Sequence, residues 1–307
     1  MLVIIGTDYI FNCMEKKQLL KKFKNFIYVA YENDTQLIKI FDKTLNSSKV
    51  SLILLNTPES LKEISAKRLS NLCIRKREKI ATIESFFEDY LKKCYIPKNC
   101  KDFNFLRNIK GYSKFQYFQK RVLDYTGGIT LLSVSAAVML FSCLKIKKQS
   151  PGEVIFKQDR VGIYGDEFVC YKFRSMGLDA EKNGIKFATK NDKRVFPYGQ
   201  TMRKTRIDEL PQLWDVMKGK MHFIGPRPER HHWTKQFEQK IPYYNQRHIV
   251  APGITGWAQV HYPYGEDEED ARQKLMYDLY YIKNWSMKLE LEVLCKTILV
   301  ILNRKGV

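Results

Sequence analysis

Glycine is almost missing from the first third of this 307-residue chain: residues 1–110 hold only Gly6. A glycine-rich loop that cradles phosphates at the start of a dinucleotide-binding domain therefore has no place there. Cysteine is sparse and scattered. The seven cysteines, at 13, 73, 94, 100, 143, 170 and 295, form no Cys-x-x-Cys pair. They spell neither a disulfide framework nor a zinc site, and free thiols in a reducing cytosolic compartment are expected. The opening MLVIIGTDYIF is apolar but short and lacks a basic flank, so it reads as a buried strand rather than a secretory signal. No proline lies between Asp124 and Ser150. No internal repeat or low-complexity tract stands out.

Positive charge is what the chain has in excess. There are 53 Lys and Arg against 33 Asp and Glu, a net charge of +20 and a pI near 9.5. The excess divides evenly, +10 in residues 1–115 and +10 in the remainder, so it is not a basic tail. Such a field attracts nucleic acid, anionic lipid headgroups or phosphorylated substrates. A basic nucleic-acid-binding protein is one reading, but no recognition helix, RNA-binding signature or zinc finger accompanies the charge. Lipid and phosphate are the favoured partners, and nucleic acid is not expected.

The length suggests two domains. Leu2–Ile5, Phe26–Ala30, Val50–Leu55 and Lys79–Ile83 are short Val-, Ile- and Leu-rich runs suited to buried strands. Met14–Lys24, Thr35–Leu45, Ser60–Cys73 and Glu84–Lys93 have helical spacing between and after them. This alternation predicts a small doubly wound α/β domain with an accessory role in regulation, assembly or scaffolding. Tyr95–Phe118 reads as a basic, aromatic linker that becomes helical toward Lys120, placing the domains at 1–115 and 116–307.

Tyr125–Leu144 is an uncharged run of 20 residues, long enough to enter a bilayer. The alternative is the core helix of a soluble domain. Lys120 and Arg121 precede the run, and Lys145, Lys147 and Lys148 follow it, where anionic headgroups could hold them. Both flanking regions look cytosolic, so a helix over about 122–144 that enters and leaves on one face fits better than a single span. Beyond it, Val154–Gln158 and Glu167–Phe173 alternate like the strands of a hairpin turning at Gly162–Asp166. Ala271–Trp285 and Leu289–Asn303 are helical, and pack either in the core or at the membrane interface. The expected fold is thus α/β: the small doubly wound domain, then a mainly helical monotopic membrane domain with a re-entrant helix and a small β-hairpin.

The densest chemistry lies in Arg203–Glu229. Asp208 and Glu209 sit side by side among Arg203, Lys204, Arg206 and, further on, Arg227. A carboxylate can attack an activated phosphorus, and its neighbour can hold a metal or remove a proton. Magnesium takes one or two carboxylates plus phosphate oxygens. Arginine and lysine neutralise charge on a transferred group. A plainer account makes Thr205–Asp208 a capping box at a helix start. Against it stand two further rigid elements, Gly225–Glu229 with two prolines around Arg227, and Pro252–Trp257. The paired histidines His231 and His232, and His222, lack the spacing of metal ligands. The acidic run Glu266–Asp270 reads as a solvated loop or helix start.

Seven segments occur in order: KRVLDYTGG, SPGEVIFKQDRVG, YKFRSM, RKTRIDELPQLWDVMKG, IGPRPE, APGITGWAQV and DLYYIKNWS. Over residues 116–307 the chain resembles the bacterial sugar transferase family, the monotopic polyprenyl-phosphate sugar-1-phosphate transferases. The N-terminal region more loosely resembles the nucleotide-fold-like domain of the larger, exopolysaccharide-type members, which commonly carry transmembrane helices ahead of it; none is read here. The resemblance implies an enzyme on the cytoplasmic face of a bacterial inner membrane that initiates a surface glycan. It would move a sugar-1-phosphate from a UDP-sugar to undecaprenyl phosphate with magnesium and release UMP. It implies Asp208 as the nucleophile that forms a covalent phosphosugar intermediate, with Glu209 as metal ligand or base. Arg203 and Arg227 would contact phosphates, with Lys172 and Arg174 as weaker candidates. A catalytically silent scaffold of glycan assembly, and a homo-oligomer, remain open. Two departures are clear. Many members break the membrane helix with a proline, where this chain has Ser133-Val-Ser135, whose hydroxyls could bend a helix. Many also follow GWAQV with a nucleotide-associated arginine, where this chain has Pro263.

Overall fold

A computed structural model of the chain describes residues 1–29, 50–56, 79–96, 107–180, 192–262 and 267–302, with a few isolated positions between. The chain forms two compact units, Met1–Tyr95 and Ile96–Val307.

In the first unit, β1 (Leu2–Ile5), β2 (Phe26–Val29), β3 (Leu52–Leu55) and β4 (Ile80–Thr82) form one parallel sheet in the order β2-β1-β3-β4. Such runs suit central strands because both faces are covered, and β1 is wholly buried. Helix α1 (Cys13–Leu20) starts on a capping box between Asn12 and Glu15. Glu15 also accepts from the Tyr9 hydroxyl at 2.6 Å and pairs with the buried Lys93. After β4, α2 (Ile83–Phe86) runs into a π-helical turn, Phe87–Leu91, instead of one regular helix. The helices expected at Thr35–Leu45 and Ser60–Cys73 fall almost wholly outside the described residues.

The second unit is organised by α3 (Lys114–Gln149), a continuous helix of 36 residues capped by Ser113 and Gln116. Its first third is anchored by polar groups. Lys120 Nζ donates to Ile224 O, Tyr281 Oη and Glu290 Oε1 at 2.8, 2.8 and 2.9 Å. Trp285 Nε1 also donates to that Glu290 oxygen, at 2.6 Å. Arg121 donates to the Val216 and Met217 carbonyls, while Asp124 accepts from the Phe223 amide and lies 2.5 Å from His222 Nδ1. Gly128 lets the helix approach closely, since a Cβ there would lie 2.8 Å from Met217 Sδ. The expectation that Lys120 and Arg121 face lipid headgroups is thus corrected. Lys120 is 1% exposed and Arg121 is spent on carbonyls; both hold the helix to the unit.

The last third of α3 returns to the same unit. Ile146 joins Phe173 and Met202 in a core cluster, and Ser142 Oγ lies 2.8 Å from Tyr198 Oη. Between these anchorages the apolar surface is bare, with Ile129, Val134, Leu140, Phe141 and Leu144 all exposed. Only 17% of the most apolar 18-residue window is buried, unlike the core helix of a soluble domain. The exposed Ser133 and the buried Ser135 are satisfied within the helix, donating to Ile129 O and Leu131 O at 2.9 and 2.6 Å. The helix continues through these serines without a break, so the bend expected at Ser133-Val-Ser135 for a re-entrant path is absent: each hydroxyl bonds a carbonyl of the preceding turn and the backbone stays helical.

The rest of the unit is built on this helix. Strands β5 (Ile155–Val161) and β6 (Glu167–Phe173) form the expected antiparallel hairpin. Then come α4 (Pro197–Thr205), a 3₁₀ turn at Ile207–Gln212 and α5 (Leu213–Met217). Strand β7 (His222–Ile224) leads to α6 (His231–Lys240) and a 3₁₀ turn at Tyr244–Ile249. Strand β8 (Gly253–Thr255), parallel to β7, precedes α7 (Trp257–His261). The chain ends in α8 (Glu268–Lys283) and α9 (Met287–Leu302). The acidic run serves as a helix start, with Asp267 and Asp270 forming a capping box. Helix α8 is core through Leu275, Met276, Leu279 and Ile282, whereas α9 leaves Leu291, Ile298 and Leu299 exposed.

The Lys120–Glu290 pair should govern attachment of α3. Lys120→Ala strands a buried carboxylate and is expected to cost about 3–5 kcal/mol, read as a fall in unfolding free energy in detergent. The double replacement Lys120→Met with Glu290→Leu should recover much of that loss.

Candidate active site

Three chain segments converge on Glu209. The first is the turn that carries it. Helix α4 ends at Thr205, whose hydroxyl bonds back to Thr201 O at 2.8 Å. Arg206 then adopts a left-handed conformation, φ 61° and ψ 15°, and starts the 3₁₀ turn. No side chain caps this turn. The capping-box account of Asp208 therefore does not hold, because the Thr205 hydroxyl is spent on the preceding helix. Left-handed backbone at a non-glycine residue is strained and recurs at functional sites.

The second segment is β6, which brings Lys172 Nζ to 3.1 Å from Glu209 Oε1. Asp215 of α5 fixes β6 in register with the turn, its Oδ2 accepting from the Tyr171 amide at 3.1 Å. The third is the loop after β7. Arg227 places Nη2 and Nη1 at 3.3 and 3.4 Å from the same Glu209 oxygen, and Arg206 Nη1 lies at 3.6 Å. Glycine lets this loop form: Gly253 lies so near Gly225 that a Cβ on Gly253 would sit 2.1 Å from Gly225 N. That contact explains the glycines in both IGPRPE and APGITGW.

The two adjacent carboxylates are driven apart electrostatically. Burial alone would raise Glu209, but Lys172, Arg227 and Arg206 outweigh it and hold the carboxyl well below the usual carboxylate range. Asp208 moves the other way. Burial and the Glu209 charge raise it, against Lys172, Arg206 and Arg203. Asp208 Oδ1 is buried with no hydrogen-bond partner. A buried, unpartnered acceptor beside several cations is costly unless a ligand completes it.

Of the six residues singled out on sequence, Asp208, Glu209, Lys172 and Arg227 come together, and Arg203 is near enough to act on Asp208. Arg174 is placed otherwise. Its two terminal nitrogens donate to Ser150 O and Pro151 O at 2.6 and 2.8 Å, clamping the exit of α3. Arg206, named on sequence among the surrounding cations but not as a phosphate ligand, also joins the cluster. Pro263 lies outside the described residues.

Among the described residues no group of three His, Cys, Asp or Glu could hold a metal ion by itself. The orphaned Asp208 oxygen is the kind of hard acceptor that magnesium shares with phosphate oxygens. Glu209 gives its Oε1 to three cations, so a metal role for it requires phosphates to take those cations over.

The family model for bacterial sugar transferases matches residues 115–304. An Aeromonas hydrophila UDP-N-acetylgalactosamine-undecaprenyl-phosphate N-acetylgalactosaminephosphotransferase is 46% identical over 189 residues, 62% of this chain and 45% of that protein. A Xanthomonas campestris UDP-glucose:undecaprenyl-phosphate glucose-1-phosphate transferase is 42% identical over 200 residues, 64% of this chain and 41% of its own length. The matches thus span less than half of these two relatives. A Rhizobium leguminosarum exopolysaccharide production protein is 37% identical across 60% of this chain and 96% of its own. With the family model covering most of the second unit, the chain belongs to the bacterial sugar transferase family.

Proposed function

We propose that this protein transfers a sugar-1-phosphate from a UDP-sugar to undecaprenyl phosphate, through a covalent intermediate on Asp208. The observation that carries this reading is the unpartnered Asp208 oxygen beside the cations gathered at Glu209. An Asp208 carboxylate oxygen attacks the β-phosphorus, the one bearing the sugar. The bond from that phosphorus to the bridging oxygen breaks, and UMP leaves with the electron pair. A phosphate oxygen of undecaprenyl phosphate then attacks the same phosphorus, frees Asp208 and yields the undecaprenyl diphosphosugar. Lys172, Arg206 and Arg227 lie where they can pass from Glu209 to the diphosphate and stabilise its developing charge. Arg203 adds to the same field. Asp208 and Glu209 are the residues that would hold magnesium, Glu209 once phosphates had taken over its cations, and the ion would supply further charge neutralisation.

The reaction belongs at a membrane because the acceptor is a lipid. Both thirds of α3 rest on one unit while its middle is bare and apolar. An unbroken helix held at both ends by one unit cannot dip and return, so this supports a helix seated along the membrane surface with its bare apolar side in the lipid, on the cytoplasmic face of an inner membrane. Lys145, Lys147 and Lys148 stay exposed at its end, where anionic headgroups would hold them. The product is the first lipid-linked sugar of a surface glycan. The relatives' names point to a hexose or N-acetylhexosamine donor.

Purified protein with magnesium, undecaprenyl phosphate and a panel of UDP-sugars should release UMP with at least one donor. Asp208→Asn should reduce that rate by on the order of 10³-fold or more. Undiminished release in the variant would remove Asp208 from the chemistry, and no release with any donor would favour a silent scaffold. The raised Asp208 carboxyl sets a pH dependence. Attack needs the ionised form, so the rate should fall with acidification at a midpoint above that of an ordinary aspartate. Lys172 opposes the rise, so Lys172→Met should move that acidic limb to higher pH; a shift to lower pH would contradict the assignment.

A further inference from the structure

The loop that carries Arg227 is gripped at four successive carbonyls. Pro226 O accepts from the Gly253 amide at 2.9 Å, and Glu229 O from the Val161 amide at 2.9 Å. The two carbonyls between them are taken by guanidinium groups. Arg227 O accepts from Arg247 Nη2 and Pro228 O from Arg160 Nη1, each at 3.0 Å. Pro226 and Pro228 have no amide hydrogen to offer, so carbonyls are the loop's main backbone handles. The Glu229 side chain closes the arrangement. Burial would raise its carboxyl, but Arg247, Arg160, Arg227 and Lys274 outweigh this and keep it ionised. Arg247 is fixed in turn by Asp278 Oδ2 and Tyr244 Oη, both at 2.8 Å. Arg160 is fixed near Glu229, at 4.0 Å, and donates to Gln158.

We propose that Arg160 and Arg247 are positioning residues which, by holding the carbonyls of Pro228 and Arg227, aim the Arg227 guanidinium at the donor diphosphate. The inference rests on the proposed function for the identity of that ligand. Each acts through the loop backbone, Arg247 on the carbonyl of Arg227 and Arg160 on that of Pro228. A loop with its carbonyls fixed from β5, β8 and the Tyr244–Ile249 turn cannot let Arg227 drift, and an ångström of drift in a positioning group can cost on the order of 10²-fold in rate.

A double-mutant cycle separates positioning from mere support. Wild type, Arg160→Gln, Arg227→Ala and the double variant are compared in kcat/KM for UMP release, and in affinity for inorganic pyrophosphate by calorimetry. Arg160→Gln should lower kcat/KM by on the order of tenfold and weaken pyrophosphate binding in the wild-type background. In the Arg227→Ala background the same replacement should change neither quantity. Arg160→Lys, which keeps one donor for Pro228 O, should restore part of the loss, and it carries the cycle if the glutamine variant does not fold. Equal losses in both backgrounds would overturn the proposal, because they mark a general structural role. If wild type releases no UMP, the reading of the donor fails on its own. The clamp is then judged on pyrophosphate, and binding that needs Arg227 but ignores Arg160 overturns it.

Discussion

One carboxylate oxygen, Glu209 Oε1, gathers the cations of this site. Lys172 comes to it from β6, Arg206 from the strained turn and Arg227 from the loop after β7. Without that shared anion, three positive groups this close in a buried place would repel one another. Pairing them with Glu209 stores them at the site, and it leaves the neighbouring Asp208 oxygen without a partner. Two adjacent carboxylates thus acquire opposite shifts, one held low by its cations and one raised by burial. Divergence of that kind is how paired carboxylates come to have different tasks. It suits Asp208 to the proposed attack and Glu209 to the keeping of charge.

The second dependence is mechanical. The apolar middle of α3 is mostly exposed, so its attachment falls largely to the two ends. Lys120, Arg121 and Asp124 spend their charges inside the unit, while Ser142 and Ile146 close the far end. Arg174 holds the carbonyls where the helix exits. The same β6 that bears Lys172 also bears Phe173, which packs on Ile146. The proposed membrane element and the proposed site thus share a strand, so chemistry and lipid contact are kept in register.

Much of this was legible in the chain. Leu2–Ile5 and Glu167–Phe173 agree with the structure at both ends, because a short apolar run and a clean alternation each admit one explanation. The order of the motifs gave Asp208, Glu209, Lys172 and Arg227, and the structure brings these four together. Other features were hidden for a physical reason: their partners are remote in sequence. Lys120 beside an apolar run has the pattern of a headgroup lysine, and only Glu290, 170 residues away, makes it an internal anchor. Arg174 was a weaker phosphate candidate through the YKFRSM resemblance, and its terminal nitrogens go to the carbonyls of Ser150 and Pro151, over twenty residues back. Helix α4 was not anticipated, since Pro197, Gly199 and mostly polar neighbours give little periodic signal. Arg160 and Arg247 act on a loop that neither adjoins in sequence.

The central claim is that Asp208 is the nucleophile of the first step, and the most direct measurement is the mass of the protein after incubation with UDP-sugar and magnesium but no undecaprenyl phosphate. The account predicts an added sugar phosphate on the peptide containing Asp208, discharged when undecaprenyl phosphate is supplied. Turnover with the lipid present, but with no adduct on that peptide under any quench, would show a direct transfer between substrates and contradict the account.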